Sequence, residues 1–206
     1  MFVDPESLSA EDSYRLLTGM VVPRPIAWVA TLNAEGRVNL APFSTFTFVS
    51  PKPPMLGFSV GRKGDRYKDT SQNILTRESF TVHIADQALL RPLHDSAEEV
   101  GPDISEAEML GLPVTPGARI DTPRLVDAPI AMECRLRQVL EFGETRSRFI
   151  VGEIVGIHLR DGLLQDGKID TPTLDPICRL AGPNYATLGK ITTLRTLAQT
   201  PKQSGT

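Results

Sequence analysis

Cysteine is scarce in this 206-residue chain: Cys134 and Cys178 are the only two, so a disulfide framework is not indicated. No uninterrupted apolar run approaches the ~18 residues of a membrane span. The start, Met1-Phe2-Val3-Asp4-Pro5-Glu6, lacks the basic and apolar regions of a signal peptide. The cytoplasm is therefore the expected location, with no membrane partner. Charge of one sign is also missing. A net charge of -3 gives no general pull toward nucleic acid, although a local basic patch can still hold an anion. There is no G-x-G-x-x-G, which argues against a Rossmann domain, and no G-x-S-x-G hydrolase elbow. His83, His94 and His158 are scattered and form no metal-like spacing with the cysteines. What remains, 40% hydrophobic and 23% charged, is the composition of an ordinary globular protein able to bury a core. Residues 1–195 are read as one domain and 196–206 as a polar tail without fixed structure.

The periodicities describe many strands with interrupting helices. Ser9 is a candidate cap for a first helix with Leu16, Leu17 and Met20 as its apolar stripe. Residues 26–32 and 38–40 read as paired strands about the turn Asn33-Ala34-Glu35-Gly36. From 44 to 50, Ser44, Phe46, Phe48 and Ser50 share a face before Pro51, Pro53 and Pro54 stop the strand. Strands are expected over 55–60 and 80–85, with helices over 69–77, 87–97 and 106–110. In 130–141, Ile130, Met132, Cys134, Leu136 and Leu140 form one face with Gln138, opposite Glu133, Arg135, Arg137 and Glu141. In 149–159, Val151, Val155, Ile157 and Leu159 share a face with Glu153, which must be paired or lie at a rim. This pattern favours an antiparallel barrel over a βαβ sheet.

Three segments carry the chemistry. The loop Gly61-Arg62-Lys63-Gly64-Asp65-Arg66-Tyr67-Lys68 concentrates cations and feeds a helix whose start, Asp69-Thr70-Ser71-Gln72, offers a capping arrangement. Free amides at a helix start, with cations beside them, suit a phosphate monoester. Taken alone, the same residues read more simply as a solvated basic loop. The Ser44–Ser50 face offers hydroxyls around aromatic bulk and suits a planar polar ring, with Phe46 and Phe48 better read as core. Gly162-Leu163-Leu164-Gln165-Asp166-Gly167-Lys168-Ile169 nearly matches a P-loop, but Ile169 replaces the magnesium-binding hydroxyl and Pro172 breaks the helix, so it reads as a hairpin. His83 lies opposite Phe80, Val82 and Ile84, where it can approach a polar site; a structural or surface histidine is the simpler reading.

In this order, Arg24-Pro25-Ile26-Ala27-Trp28-Val29, Asn39-Leu40-Ala41-Pro42-Phe43-Ser44 and Lys68-Asp69-Thr70-Ser71-Gln72-Asn73-Ile74 resemble the flavin reductase-like family with the FMN-binding split barrel. Glu133-Cys134-Arg135-Leu136, Val151-Gly152-Glu153-Ile154-Val155 and Arg179-Leu180-Ala181-Gly182-Pro183-Asn184-Tyr185 add to it, and the resemblance spans about 14–190. It implies a mainly β fold, a six-stranded antiparallel split barrel with peripheral helices, and a homodimer binding FMN. Carried over, Arg62, Lys68, Asp69 and Thr70 hold the FMN phosphate; Pro42, Phe43 and Ser44 meet the flavin, and Ser50 sits near its ring. Thr31 and Asn39 are further contacts, and Arg179 and Tyr185 approach the site. Related sequences often carry Asn where this chain has His83, and the 61–68 loop is variable among them. The implied activity is an NAD(P)H:flavin oxidoreductase passing hydride to flavin and electrons to a small-molecule or protein acceptor. The flavin does this chemistry, so no catalytic side chain is required. The alternatives are a flavoredoxin-like FMN electron carrier without NAD(P)H activity, and a barrel that has lost its flavin and serves as a scaffold.

Overall fold

The computed structural model describes residues 1–197. The tail expected from Thr196 onward lies, beyond Leu197, outside the described residues. Helix α1 (Ala10–Met20) begins at Ser9, whose hydroxyl accepts the Asp12 amide at 3.1 Å. Strands β1 (Ala27–Leu32) and β2 (Val38–Phe43) form a hairpin. Its turn is fixed by Asn33, whose side-chain oxygen accepts the Glu35 and Arg37 amides at 3.1 and 2.8 Å, and by Gly36 at φ 81°. Then follow β3 (Phe46–Pro51), β4 (Pro54–Val60), α2 (Asp69–Arg77) and β5 (Ser79–Ile84). A 3-10 turn (Gln87–Leu89) leads into α3 (Leu90–Asp95), and α4 (Glu106–Met109) precedes two long strands, β6 (Ile130–Phe142) and β7 (Ser147–Leu159).

The main sheet runs β2-β1-β5-β6-β7-β4-β3, antiparallel throughout. Its two end strands, β2 and β3, are separated only by Ser44 and Thr45. They are one ribbon bent at that point, where the Thr45 carbonyl accepts the Ser59 amide at 2.9 Å. Counted as one, they turn the seven-stranded sheet into the expected six-stranded split barrel. The split lies along the free edge of β2.

Inside the barrel, Phe58 stands between Phe43 and Phe80, with ring centroids 5.2 and 5.6 Å away. Burying each such ring is worth about 2–3 kcal/mol. Gly152 makes this packing possible, because a Cβ there would lie 2.4 Å from the Phe80 ring. A second apolar cluster gathers Trp28, Leu40, Leu89 and Leu93 on the other face of β1. The Trp28 indole donates to Ser96 Oγ at 2.9 Å, so its polar edge is satisfied inside that cluster.

Several expectations are corrected. Bulges between Glu133 and Cys134 and between Leu136 and Gln138 shift the phase of the long hairpin. Val139 therefore packs on the core where Leu140 was expected, and Ile150 and Ile154 do so in place of Val155 and Ile157; Ile157 is 59% exposed. Glu133 keeps to the outer side of the strand, but the 117–122 segment covers it completely. Phe48 keeps the register of Phe46, which packs on the core, but is itself exposed and not in the core; a bulge follows it, between Phe48 and Ser50. The stripe on α1 faces outward, and no residue of that helix is buried. Glu153 is paired as required, accepting from Arg137 Nε at 2.7 Å. The P-loop look-alike is a hairpin: Leu164–Gln165 pairs with Lys168–Ile169 about Asp166 and Gly167, at φ 49° and 73°.

Candidate functional site

The unpaired edge of β2 is modified residue by residue. The Leu40 amide points into the split and donates to Glu106 Oε2 at 2.9 Å. Strand alternation puts Pro42 on the same edge, where it presents a carbonyl and no donor. Burial raises the Glu106 carboxyl above its ordinary value, the Leu40 amide opposes that, and the charge of Asp69 adds to it. A cavity of 470 Å³ follows this edge, with Asn39, Phe43, Glu106 and the start of α2 in its walls.

Lys68 is the N-cap of α2, held extended at φ -63° and ψ 150°, and no side chain caps the helix. The capping arrangement expected from Asp69-Thr70-Ser71-Gln72 is thus not formed, because Asp69 is already the first helical residue. The Lys68 carbonyl takes the Ser71 and Gln72 amides at 2.9 and 3.3 Å. The amides of Asp69 and Thr70 precede the first helical bond, so the positive end of α2 opens on the cavity. Thr70 is fixed by Asn39, whose amide donates to its hydroxyl at 3.0 Å. Thr31 acts one layer behind: it is fully buried and accepts from Asn73 of α2 at 3.0 Å, holding the helix rather than lining the cavity.

The basic loop is itself a small hairpin, Arg62–Lys63 with Arg66–Tyr67. Lys63, Arg66 and Lys68 line the cavity, Lys63 paired with Glu99 of the same wall at 2.7 Å and Lys68 Nζ 5.8 Å over the Phe43 ring. Arg62 turns away to the Asp65 carbonyl and lies 4.9 Å over the Tyr67 ring. Arg148 stacks on that ring at 3.2 Å and donates to Ser71 at 3.1 Å, tying the loop to α2. Lys63 and Arg66 were not separated from Arg62 by sequence; the two-residue alternation of a tight hairpin is the signal that would have done so.

A second cavity, of 280 Å³, shares Pro42 and Ala97 with the first and brings together Arg24, Ser44, Arg179 and Tyr185. Arg24 organises it, donating to the Val21 and Leu180 carbonyls at 2.9 and 3.0 Å and to Ser44 Oγ at 3.3 Å. The motif Arg24-Pro25-Ile26-Ala27-Trp28-Val29 marked it, but nothing in the residue order showed its reach to Leu180. Arg179 donates to the Tyr185 hydroxyl, which also meets His94 Nδ1 at 3.0 Å. Burial raises the Tyr185 phenol above its ordinary range, against the opposing pull of Arg179. Ser50 lines neither cavity; its hydroxyl accepts the Lys52 amide at 3.2 Å at the far end of the bent ribbon. His83 is structural: it is fully buried, with Nδ1 on the Trp28 carbonyl at 2.9 Å and Nε2 on the Leu125 amide at 3.0 Å. Among the described residues no cluster of His, Cys, Asp and Glu is placed to hold a metal ion, and no helix is long and apolar enough to cross a membrane.

The chain is thus a mainly β split barrel with a cavity of mixed charge at an uncapped helix start. The flavin reductase like domain matches residues 19–174, and the chain belongs to that family. It is 40% identical to an uncharacterized protein of Halalkalibacterium halodurans, over 92% of this chain and 93% of that one. Nitrilotriacetate monooxygenase component B from Bacillus cereus superposes with a TM-score of 0.91 at 36% identity, covering 94% of this chain and 98% of that chain. The 2-nitrobenzoate 2-nitroreductase NbaA of Pseudomonas fluorescens gives 0.88 at 34% identity, covering 99% and 100%.

Proposed function

We propose that this chain is an FMN-dependent oxidoreductase that takes hydride from NAD(P)H and passes the electrons to an acceptor. The observation carrying this reading is the cavity in the split, where the open start of α2 meets Lys63, Arg66 and Lys68. That donor set fits a phosphate monoester: amides of Asp69 and Thr70 on one side, cations on the other. Asp69 and Glu106 are acceptors suited to the hydroxyls of a polyol chain. The Pro42 carbonyl, Phe43 and Ser44 lead toward the adjoining cavity, which we assign to the ring and its redox partner. FMN supplies the hydride chemistry when bound; the protein binds it, orients it and excludes water. The redox names of the two solved relatives, a monooxygenase component and a nitroreductase, support the reaction class. We also propose a cytoplasmic location and a homodimer, the dimer supported by the outward stripe of α1 and by exposed Phe48, at 79%.

The anaerobic test is to load the protein with FMN, add NADH or NADPH, and follow the oxidised flavin absorbance. Bleaching faster than a free-FMN control is expected with one donor. Bound FMN that stays oxidised with both would make the chain a protein-fed electron carrier. Lys68→Ala is expected to weaken FMN binding about tenfold or more, the ~1.5–3 kcal/mol of a charge-assisted contact. Exposed Lys190, which lines neither cavity, serves as the control. Equal dissociation constants for Lys68→Ala and Lys190→Ala would remove Lys68 from the site.

A further inference from the structure

A third cavity, of 540 Å³, shares no lining residue with the other two. Arg124, Arg160 and His158 meet there, beside an apolar wall that includes Leu89, Val126 and Leu159. Two of these polar groups are already engaged. Arg160 donates to Asp86 at 2.7 Å, and His158 Nε2 is 2.5 Å from the buried carboxylate of Glu133. Arg124 is different. It is half-buried, its Nε is sealed from solvent without a partner, and its side chain forms no hydrogen bond or ion pair with any described residue. The Nε proton is thus withdrawn from water without an acceptor while the two Nη groups stay open to the cleft, so the site favours a ligand that brings an acceptor to this fork.

The surroundings narrow the ligand class. One cation is unmatched, and the planar fork of an arginine suits a carboxylate. Asp86 and Asp127, also in the lining, disfavour a dianion such as phosphate, while Leu89, Val126 and Leu159 favour hydrocarbon. We propose that this cleft binds a small monocarboxylate with an apolar body, its carboxylate on Arg124 and its hydrocarbon against Leu89, Val126 and Leu159. The site is separate from the proposed flavin cavity but structurally adjacent to it. Leu89 closes the turn that leads into α3, and Leu93 of α3 lines the Ser44–Tyr185 cavity.

Benzoate is a suitable probe, titrated into the full chain by calorimetry with and without saturating FMN. Saturable binding, on the order of millimolar for so small a ligand, is expected and should be unaffected by FMN. Arg124→Gln should weaken it at least tenfold, Arg124→Lys by less, and neutral benzamide should not bind. Val126→Trp, at an exposed rim position, should block the cleft while every charge stays in place, and it decides the matter if Arg124→Gln does not fold. Absence of saturable binding, competition by FMN, displacement by equimolar inorganic phosphate, or unchanged affinity in folded Arg124→Gln or Val126→Trp would each overturn the assignment.

Discussion

Glu133→Ala is expected to lower the free energy of unfolding by about 3–5 kcal/mol, the range for breaking a buried ionic cluster from one side. Its carboxylate is completely buried and accepts the amides of Ala118, Arg119 and Ile120 at 2.7, 2.6 and 3.1 Å. His158 bonds to the same group at 2.5 Å. Truncation would leave three backbone donors and an imidazole without the acceptor that the buried carboxylate supplies. Desolvation alone would push this carboxyl up; hydrogen bonds from Ala118, His158 and Arg119 outweigh it and hold the group below the ordinary range. Its contribution is thus present at neutral pH and fades as acid protonates it. Glu133→Gln should lose most of the same stability, since an amide turns a donor toward donors. Urea unfolding midpoints measure both variants, and a loss below ~1 kcal/mol for Glu133→Ala would show that the 118–120 segment does not depend on this anchor.

His83 should make the fold acid-sensitive in a separate way. Burial, with Arg124 and His158 nearby, lowers its pKa from 6.5 to about 4, although the Trp28 carbonyl acts in the opposite sense. The neutral ring can donate from Nδ1 to Trp28 while Nε2 accepts from Leu125. A second proton would have to displace the Leu125 amide. Between pH 6.5 and 4 the unfolded chain therefore binds a proton that the native chain refuses. The contribution is complete above pH 6.5 and declines as pH falls toward 4, by about 3 kcal/mol in all. Asparagine can reproduce one donor and one acceptor without titrating. Stability measured in steps from pH 4 to 7 should be steeper for wild type than for His83→Asn; parallel curves would mean that native His83 takes up the proton.

Local chemistry was the legible part of this sequence. Residues 69–77 form the expected helix, the 33–36 turn forms because Asn33 supplies its own acceptor, and the Asp166-Gly167 hairpin follows from two residues that tolerate positive φ. The barrel and the loop beside α2 were legible through ordered motifs. Phase was not legible. A bulge adds one residue without altering composition, so the expected inward set in β6 and β7 slipped beyond each bulge. The roles of Glu133 and Arg24 were equally hidden, because their acceptors and donors are backbone groups of other segments. Backbone groups are the same at every residue and leave no mark in the side-chain pattern.

The opened edge of β2 has a consequence for how this protein behaves in a crowded solution. A bare strand edge is a template on which a neighbouring molecule can add its own strand. Here such an incoming strand would meet Pro42, which offers no amide, and a Leu40 amide already taken by Glu106. The same two residues that line the split deny that gap to another chain, which disfavours the opening as a nucleus for aggregation.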